Sequence, residues 1–318
     1  MDTDSQDAAT PAATPAALAG IWRRWAAFLI DWVILSLGGF IAGLVLFDVF
    51  VAMGVWTRVM GFAIATTYFG IFDSGWGGAS SPGKKVLGIR VVDNGGRVIG
   101  MPRAFLRAAL ICAPLILNSF YAVRQGDYAH LAVNGLFGGW MVGSLYMLAF
   151  NRGTRQGLHD LATRTFVIRG RATRLGLSGY RFWRPHLMIV LGIFALLLPV
   201  ALAGLPIFLH FAPGSMMRAE KVPVGPVEVV NAKLSWKLRK GGAGGKPECR
   251  AALVYLTGPG IDDASLARKV AMALVARSPC QVVTNLSVRM QYGYDMGFSS
   301  GTAYRDYLID EADMTAAP

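Results

Sequence analysis

Charge is scarce in this chain. Of its 318 residues 16% are Asp, Glu, Lys or Arg, where an ordinary soluble domain carries about 25%. Histidine and cysteine are scarcer, with four of the first and three of the second. His130, His159, His186 and His210 are scattered and show no metal-ligand spacing, so no metal site is expected. No Gly-x-Ser-x-Gly elbow occurs, and no Cys/His pair that the topology would bring together, which argues against an enzyme. Nothing in the sequence asks for a cofactor. A basic start followed by a cleavable apolar run is also missing, so no signal peptide is expected. Residues 1–20, rich in Ala, Pro and Thr, read as a disordered tail.

What is abundant is apolar sequence. Hydrophobic residues make up 54% of the chain, and the mean hydropathy is +0.44. A helix crossing the hydrocarbon needs about 20 residues. Five stretches qualify, at about residues 25–47, 55–72, 104–122, 131–150 and 187–211. The expected fold is therefore an α-helical integral membrane bundle. Pro114, Pro199 and Pro206 predict kinks. Gly39 and Gly43, like Gly139 and Gly143, have the spacing that lets helices approach closely.

The net charge of +12 would suggest nucleic acid in a soluble protein. Here the basic residues lie in short segments beside the spans, and the basic-plus-aromatic pattern of a nucleic-acid module is missing. Lipid is the expected partner instead. Arg23 and Arg24 precede the first span. Lys84, Lys85, Arg90, Arg97 and Arg103 follow the second, and a run of arginines from Arg152 to Arg184 follows the fourth. The two other connections are nearly neutral. This asymmetry predicts a cytoplasmic N-terminus, a basic cytoplasmic linker at 171–186 and residues 215–318 on the far side.

Gly78-Ala-Ser-Ser-Pro-Gly83-Lys84 approaches a phosphate loop, but position 85 is Lys and a span precedes it, so nucleotide binding is not expected. The stretch beyond reads as a cytoplasmic β-hairpin over 84–100. Val86–Val92 would be one arm, Asp93-Asn-Gly-Gly96 the turn and Arg97–Ile99 the return. Thr165–Ile168 reads as a third strand, giving a small sheet that caps the bundle.

Three pieces coincide in order and spacing. They are Arg-Arg-x-x-Ala-x-x-x-Ile-Asp entering the first span, Ser-Pro-Gly-Lys-Lys-x-x-Gly with the strand after it, and Gly157-Leu-His-Asp-Leu-Ala-Thr-Arg-Thr-Phe-Val-Ile168. Over about residues 18–170 the chain resembles the RDD family, named for a signature arginine and two aspartates. The resemblance matches Arg24, or its neighbour Arg23, and Asp31 to the arginine and first aspartate. It matches Asp160 to the second aspartate, Lys84 to the family's Gly-Lys, and Arg107 to an arginine common in the third span. It implies a bacterial inner-membrane protein. Transport is proposed for the family, with cation/proton exchange for some members, and other relatives act as scaffolds. Residues 21–170 would form the RDD-like membrane domain, with the fifth span and residues 215–318 outside the resemblance.

An ionisable residue inside a span is costly and usually faces the protein interior. Arg24 and Asp31 lie seven residues apart, about 10 Å along a helix, too far for a simple direct pair. From depth alone, Asp31 is expected to pair with Arg107, and Arg24 to sit near Asp160. Whether the cluster moves an ion or only fixes the helices stays open at this point, as does His159 as a proton shuttle or a plain loop residue.

Residues 215–318 carry no span and read as an α+β domain. Val227–Arg239, Cys249–Leu256 and Gln281–Tyr292 look like strands, and Asp262–Arg277 like a helix with Leu266, Val270 and Leu274 on one face. One antiparallel sheet covered by one helix is expected. Cys249 and Cys280 would form a disulfide in an oxidising compartment. Two functions follow as expectations: transport of a small ion or solute through the charged cluster, or a non-catalytic scaffold whose far-side domain binds a protein or envelope component. A homo-oligomer is compatible with both.

Overall fold

The computed structural model describes residues 18–118, 128–170, 182–211, 218–222, 229–238, 247–276 and 285–310. The elements are α1 (Ile21–Met53), α2 (Trp56–Asp73), α3 (Pro82–Val86), β1 (Ile89–Asp93), α4 (Met101–Ile116), α5 (Tyr128–Phe150), α6 (Leu158–Ala162), β2 (Thr165–Arg169) and α7 (Pro185–Phe211). After them come β3 (Arg218–Val222), β4 (Val229–Leu238), β5 (Pro247–Leu256), α8 (Ala264–Ala276), β6 (Asn285–Asp295) and β7 (Ser300–Asp310). A helix lies on each of the five predicted spans. Among the described residues, Ile21–Met53 and Ala132–Phe150 are long and apolar enough to cross a membrane, and Pro185–Val200 is a shorter apolar helix. Helix α2 has Arg58 near its start and Asp73 at its end, and α4 runs for 16 residues with Arg103 and Arg107 in it. The end of the third predicted span, the 171–181 part of the basic linker and the 1–17 part of the tail lie outside the described residues.

The chain divides into two compact units. One comprises Met1–Val33, Ala65–Cys112 and Gly139–Phe194; the other comprises Ile34–Ile64, Ala113–Gly138 and Ala195–Pro318. The long helices are therefore shared between them.

In the first unit, β1 and β2 pair antiparallel, with Val91 opposite Val167. Ile89, Val91 and Val167 pack with Ala19, Ala27, Ile99 and Ala104 into one core. The sheet is present as expected, but the hairpin over 84–100 is not. The second edge of β1 is already occupied: the Val91 amide donates to the Ala79 carbonyl at 2.8 Å, and the Ser80 hydroxyl donates to the Ile89 carbonyl at 2.7 Å. Residues 97–99 therefore have no ladder to join. The Asp93 carboxylate accepts the amides of Gly95 and Arg97, which closes the turn and delivers the chain straight to α4. Gly139 and Gly143 do admit a close neighbour. A Cβ on Gly139 would stand 2.7 Å from the Phe194 ring of α7.

In the second unit the strand order is β3-β4-β5-β6-β7. Strands β4, β5 and β6 and helix α8 are the four elements read from the sequence. Asp263 caps α8, its carboxylate accepting the amides of Ser265 and Leu266 at 2.9 and 3.0 Å. Leu266, Val270 and Leu274 are buried against Val254, Leu286, Val288 and Met290. The expected all-antiparallel sheet is corrected, because β5 and β6 run parallel. A helix connecting two neighbouring strands crosses over one face and returns in the same direction. Strands β3 and β7 were not anticipated. Cys249 is buried and is not a free thiol, whereas Cys112 is free. Cys280 lies outside the described residues.

The turn between β6 and β7 packs against helices of its own unit. The Ser36 hydroxyl of α1 donates to the Phe298 carbonyl at 2.7 Å. Tyr294 makes edge contacts with Phe47 and Phe50. A side chain on Gly43 would collide with the Tyr294 hydroxyl, and one on Gly61 with the Met296 carbonyl. Arg58 of α2 pairs with Asp295 and donates to the Ile116 carbonyl at the end of α4. The closely spaced Gly39 and Gly43 thus receive a β-turn, not another helix.

Candidate functional site

Five elements of the first unit bring charge to one buried place. Helix α1 supplies Arg24 and Asp31, α2 ends in Asp73, α3 carries Lys84, α4 carries Arg107, and α6 carries His159 and Asp160. Asp31, Asp73 and Asp160 have no solvent exposure. Asp73 and Asp160 pair with Arg24, Lys84 and Arg107, while Asp31 lies outside these pairs.

Asp160 is the hub. One oxygen accepts Nε and Nη2 of Arg107 at 3.0 and 2.9 Å. The other accepts Nη1 of Arg24 at 2.7 Å and the Gly157 amide at 3.2 Å. The last of these caps α6, so one carboxylate both ends a helix and holds two arginines. Arg107 turns its Nη1 to Asp73 at 2.7 Å, and Asp73 also pairs with Lys84. The Lys84 ammonium sits 5.6 Å from the centre of the Phe69 ring, a cation–π contact that eases its burial.

Asp31 is held differently. It accepts the Tyr68 hydroxyl at 2.9 Å and the Gly83 amide at 2.8 Å, and it is bonded to the Ser81 hydroxyl. All three donors are neutral. Gly83 is needed there, because a Cβ would collide with the Ala27 carbonyl and reach 3.0 Å from the Asp31 carboxyl. The Ser-Pro-Gly-Lys motif thus has a local reason: Ser81 and Gly83 bind one aspartate, Pro82 starts α3, and Lys84 turns to another aspartate.

Burial opposes the charge on Asp160, but His159 when protonated, Arg107 and Arg24 outweigh it and hold the carboxyl well below its usual range. Burial pushes His159 down to about 4, against the pull of Asp160, with Arg107 and Arg24 adding to the push. Burial likewise lowers Lys84, which Asp73 partly restores. At neutral pH His159 is uncharged.

Of the residues expected at the site, Arg24, Asp160, Arg107 and Lys84 meet in one network. The expected Asp31–Arg107 pair does not form. Arg107 faces Asp73 and Asp160, and the Ser81–Gly83 turn already saturates Asp31. Arg23 points away and donates to the Leu87 carbonyl at 3.0 Å. Sequence reading missed Asp73, Tyr68 and Ser81. The signal for Asp73 was available, since it is an acidic residue at the end of an apolar run, as Asp31 is within one.

This arrangement is a set of membrane-type helices tied through an arginine–aspartate network to a small two-stranded cap. Residues 18–164 match the model of the RDD family. The match and the apolar helices mark a membrane protein. No curated protein and no solved structure matches the chain.

Proposed function

We propose that this is a multi-pass inner-membrane protein with a cytoplasmic N-terminus and residues 215–318 on the far side, acting as a non-catalytic scaffold or assembly factor. The far-side domain is its contact surface for a protein or envelope component. Saturation of the network carries this reading. Asp73 and Asp160 are each gripped by two cations, and an ion or proton pathway would need one of them to let go. Removing one partner of a buried pair costs about 3–5 kcal/mol. Such a network suits a fixed helix register better than a cycle of release and rebinding. The Lys/Arg distribution supports the orientation.

Transport of a small ion or solute is the second reading, and Asp31 favours it. It is a buried carboxylate within a span that no cation neutralises, which is the kind of group that exchanges a proton or binds a cation. Cation and proton flux in inside-out vesicles tests both, comparing wild type with Asp31→Asn at matched amounts of folded protein. A saturable flux lost in the variant would install transport. No flux, together with a partner crosslinked through residues 215–318, supports the scaffold.

A further inference from the structure

Beside the network, a second group of arginines has no acid to answer it. Nη1 of Arg155 lies 3.5 Å, and Nη2 of Arg169 3.9 Å, from the position that a Gly20 Cβ would take at the start of α1. Arg155 donates to the Leu18 carbonyl at 3.2 Å. Among the described residues no carboxylate pairs with either arginine. Arg24 stands one turn further along α1, its amide donating to the Gly20 carbonyl at 3.3 Å. Its side chain is 9% exposed, and its Nε and Nη2 are buried with no partner.

The segment that presents Arg155 is built, not loose. Asn151 bonds the Thr154 hydroxyl at 2.6 Å and the Gln156 carbonyl at 3.3 Å, and the Gln156 amide reaches the Thr165 carbonyl at 2.8 Å. Within this frame Arg155 has a φ of 50°. A non-glycine residue adopts that left-handed conformation at a cost, and such residues concentrate at functional positions. Like charges gathered by a strained, hydrogen-bonded loop call for an anion. The first amides of α1 add their partial positive charge at the same point. Trp22 and Trp25, 84% and 39% exposed, stand on the same first turns, and exposed Trp at the end of a span marks the level of lipid headgroups.

We propose that Arg24, Arg155 and Arg169, with the start of α1 at Gly20, form a binding site for a phosphate group, supplied by an anionic lipid headgroup of the cytoplasmic leaflet. The exposed Arg169 and half-buried Arg155 guanidiniums grip the phosphate oxygens, and buried Arg24 adds its positive charge from beneath. The inference rests on the membrane reading above, and carbonate extraction of membranes tests that reading separately.

The experiment uses the full chain purified in detergent. Native mass spectrometry measures retention of phosphatidylglycerol against phosphatidylcholine, and thermal unfolding is followed with inorganic phosphate or with chloride at equal ionic strength. Wild type retains the anionic lipid preferentially, and Arg155→Gln/Arg169→Gln loses about thirtyfold of that retention. Arg169→Gln alone changes only an exposed side chain and should lose about fivefold, so the test survives if the double variant folds poorly. Stabilisation by phosphate without lipid retention, abolished in the variants, assigns the same site to free phosphate. Equal lipid retention and equal phosphate response in wild type and Arg169→Gln overturn the proposal.

Discussion

Asp160 and Asp31 are both buried aspartates, yet they do different work. Asp160→Asn would leave Arg24 and Arg107 facing a neutral amide, and a buried pair broken from one side costs about 3–5 kcal/mol. Asp31→Asn keeps one acceptor oxygen for three neutral donors and should cost about 1–3 kcal/mol. The folded yield in detergent should therefore fall much further for Asp160→Asn, and the reverse order would refute the assignment of Asp160 as hub. His159 sets a pH dependence. An unfolded chain protonates this residue near 6.5, but the folded chain does so only near 4. Its contribution is complete above about 6.5, shrinks as pH falls between those values and declines no further below them, a loss on the order of 3 kcal/mol. Asp160 reinforces this at lower pH, because its stabilisation is present above the ordinary carboxylate range and is lost in acid. Melting temperature measured from pH 7 to pH 4 should drop, and His159→Gln should flatten the curve between pH 6.5 and 4. The residue types at this site were readable in the sequence. Their pairing was readable in part: Arg24 does meet Asp160, but Arg107 faces Asp73 and Asp160 and not Asp31, because depth along a span cannot tell which neighbour an arginine faces.

At the scale of elements, periodicity and length were good guides where the element is long and one-sided. Described helices overlap each of the five apolar stretches, and α8 falls where the sequence places it. The hairpin was misread because an Asn-Gly turn fixes the local reversal but not what fills the strand's other edge, and here Ala79 fills it. Strand β7 was missed because Tyr304 and Leu308 are exposed and Ile309 is its one buried apolar residue, so it lacks the alternation that strand recognition needs. Gly139 and Gly143 do meet helix α7, but Gly39 and Gly43 meet the β6–β7 turn, since a Cβ-free notch carries no mark of what enters it. Their true neighbour makes a sharp prediction. Gly61→Ala drives a methyl into the Met296 backbone and should destabilise by about 1–3 kcal/mol. Gly38→Ala meets nothing within 4 Å and should be neutral or stabilising by up to about 1 kcal/mol. Thermal unfolding of the two variants side by side checks this, and equal effects would contradict the docking of the β6–β7 turn.

For the molecule as a whole, the proposed topology leaves residues 215–318 in an oxidising compartment, where Cys249 and Cys280 should be joined. Non-reducing peptide mapping of protein made in the native envelope should recover one peptide holding both, and finding both as free thiols would count against the bridge and the far-side placement together. Ser36 and Phe298 are 262 residues apart in the chain and hydrogen-bonded in the fold. A ribosome completes the helix bearing Ser36 long before it reaches Phe298. Until then the notches at Gly39, Gly43 and Gly61 stand empty, and Arg58 has no aspartate. Completion of this unit therefore waits for the last strands of the chain, and a chain that stalls before residue 300 carries an unfinished face.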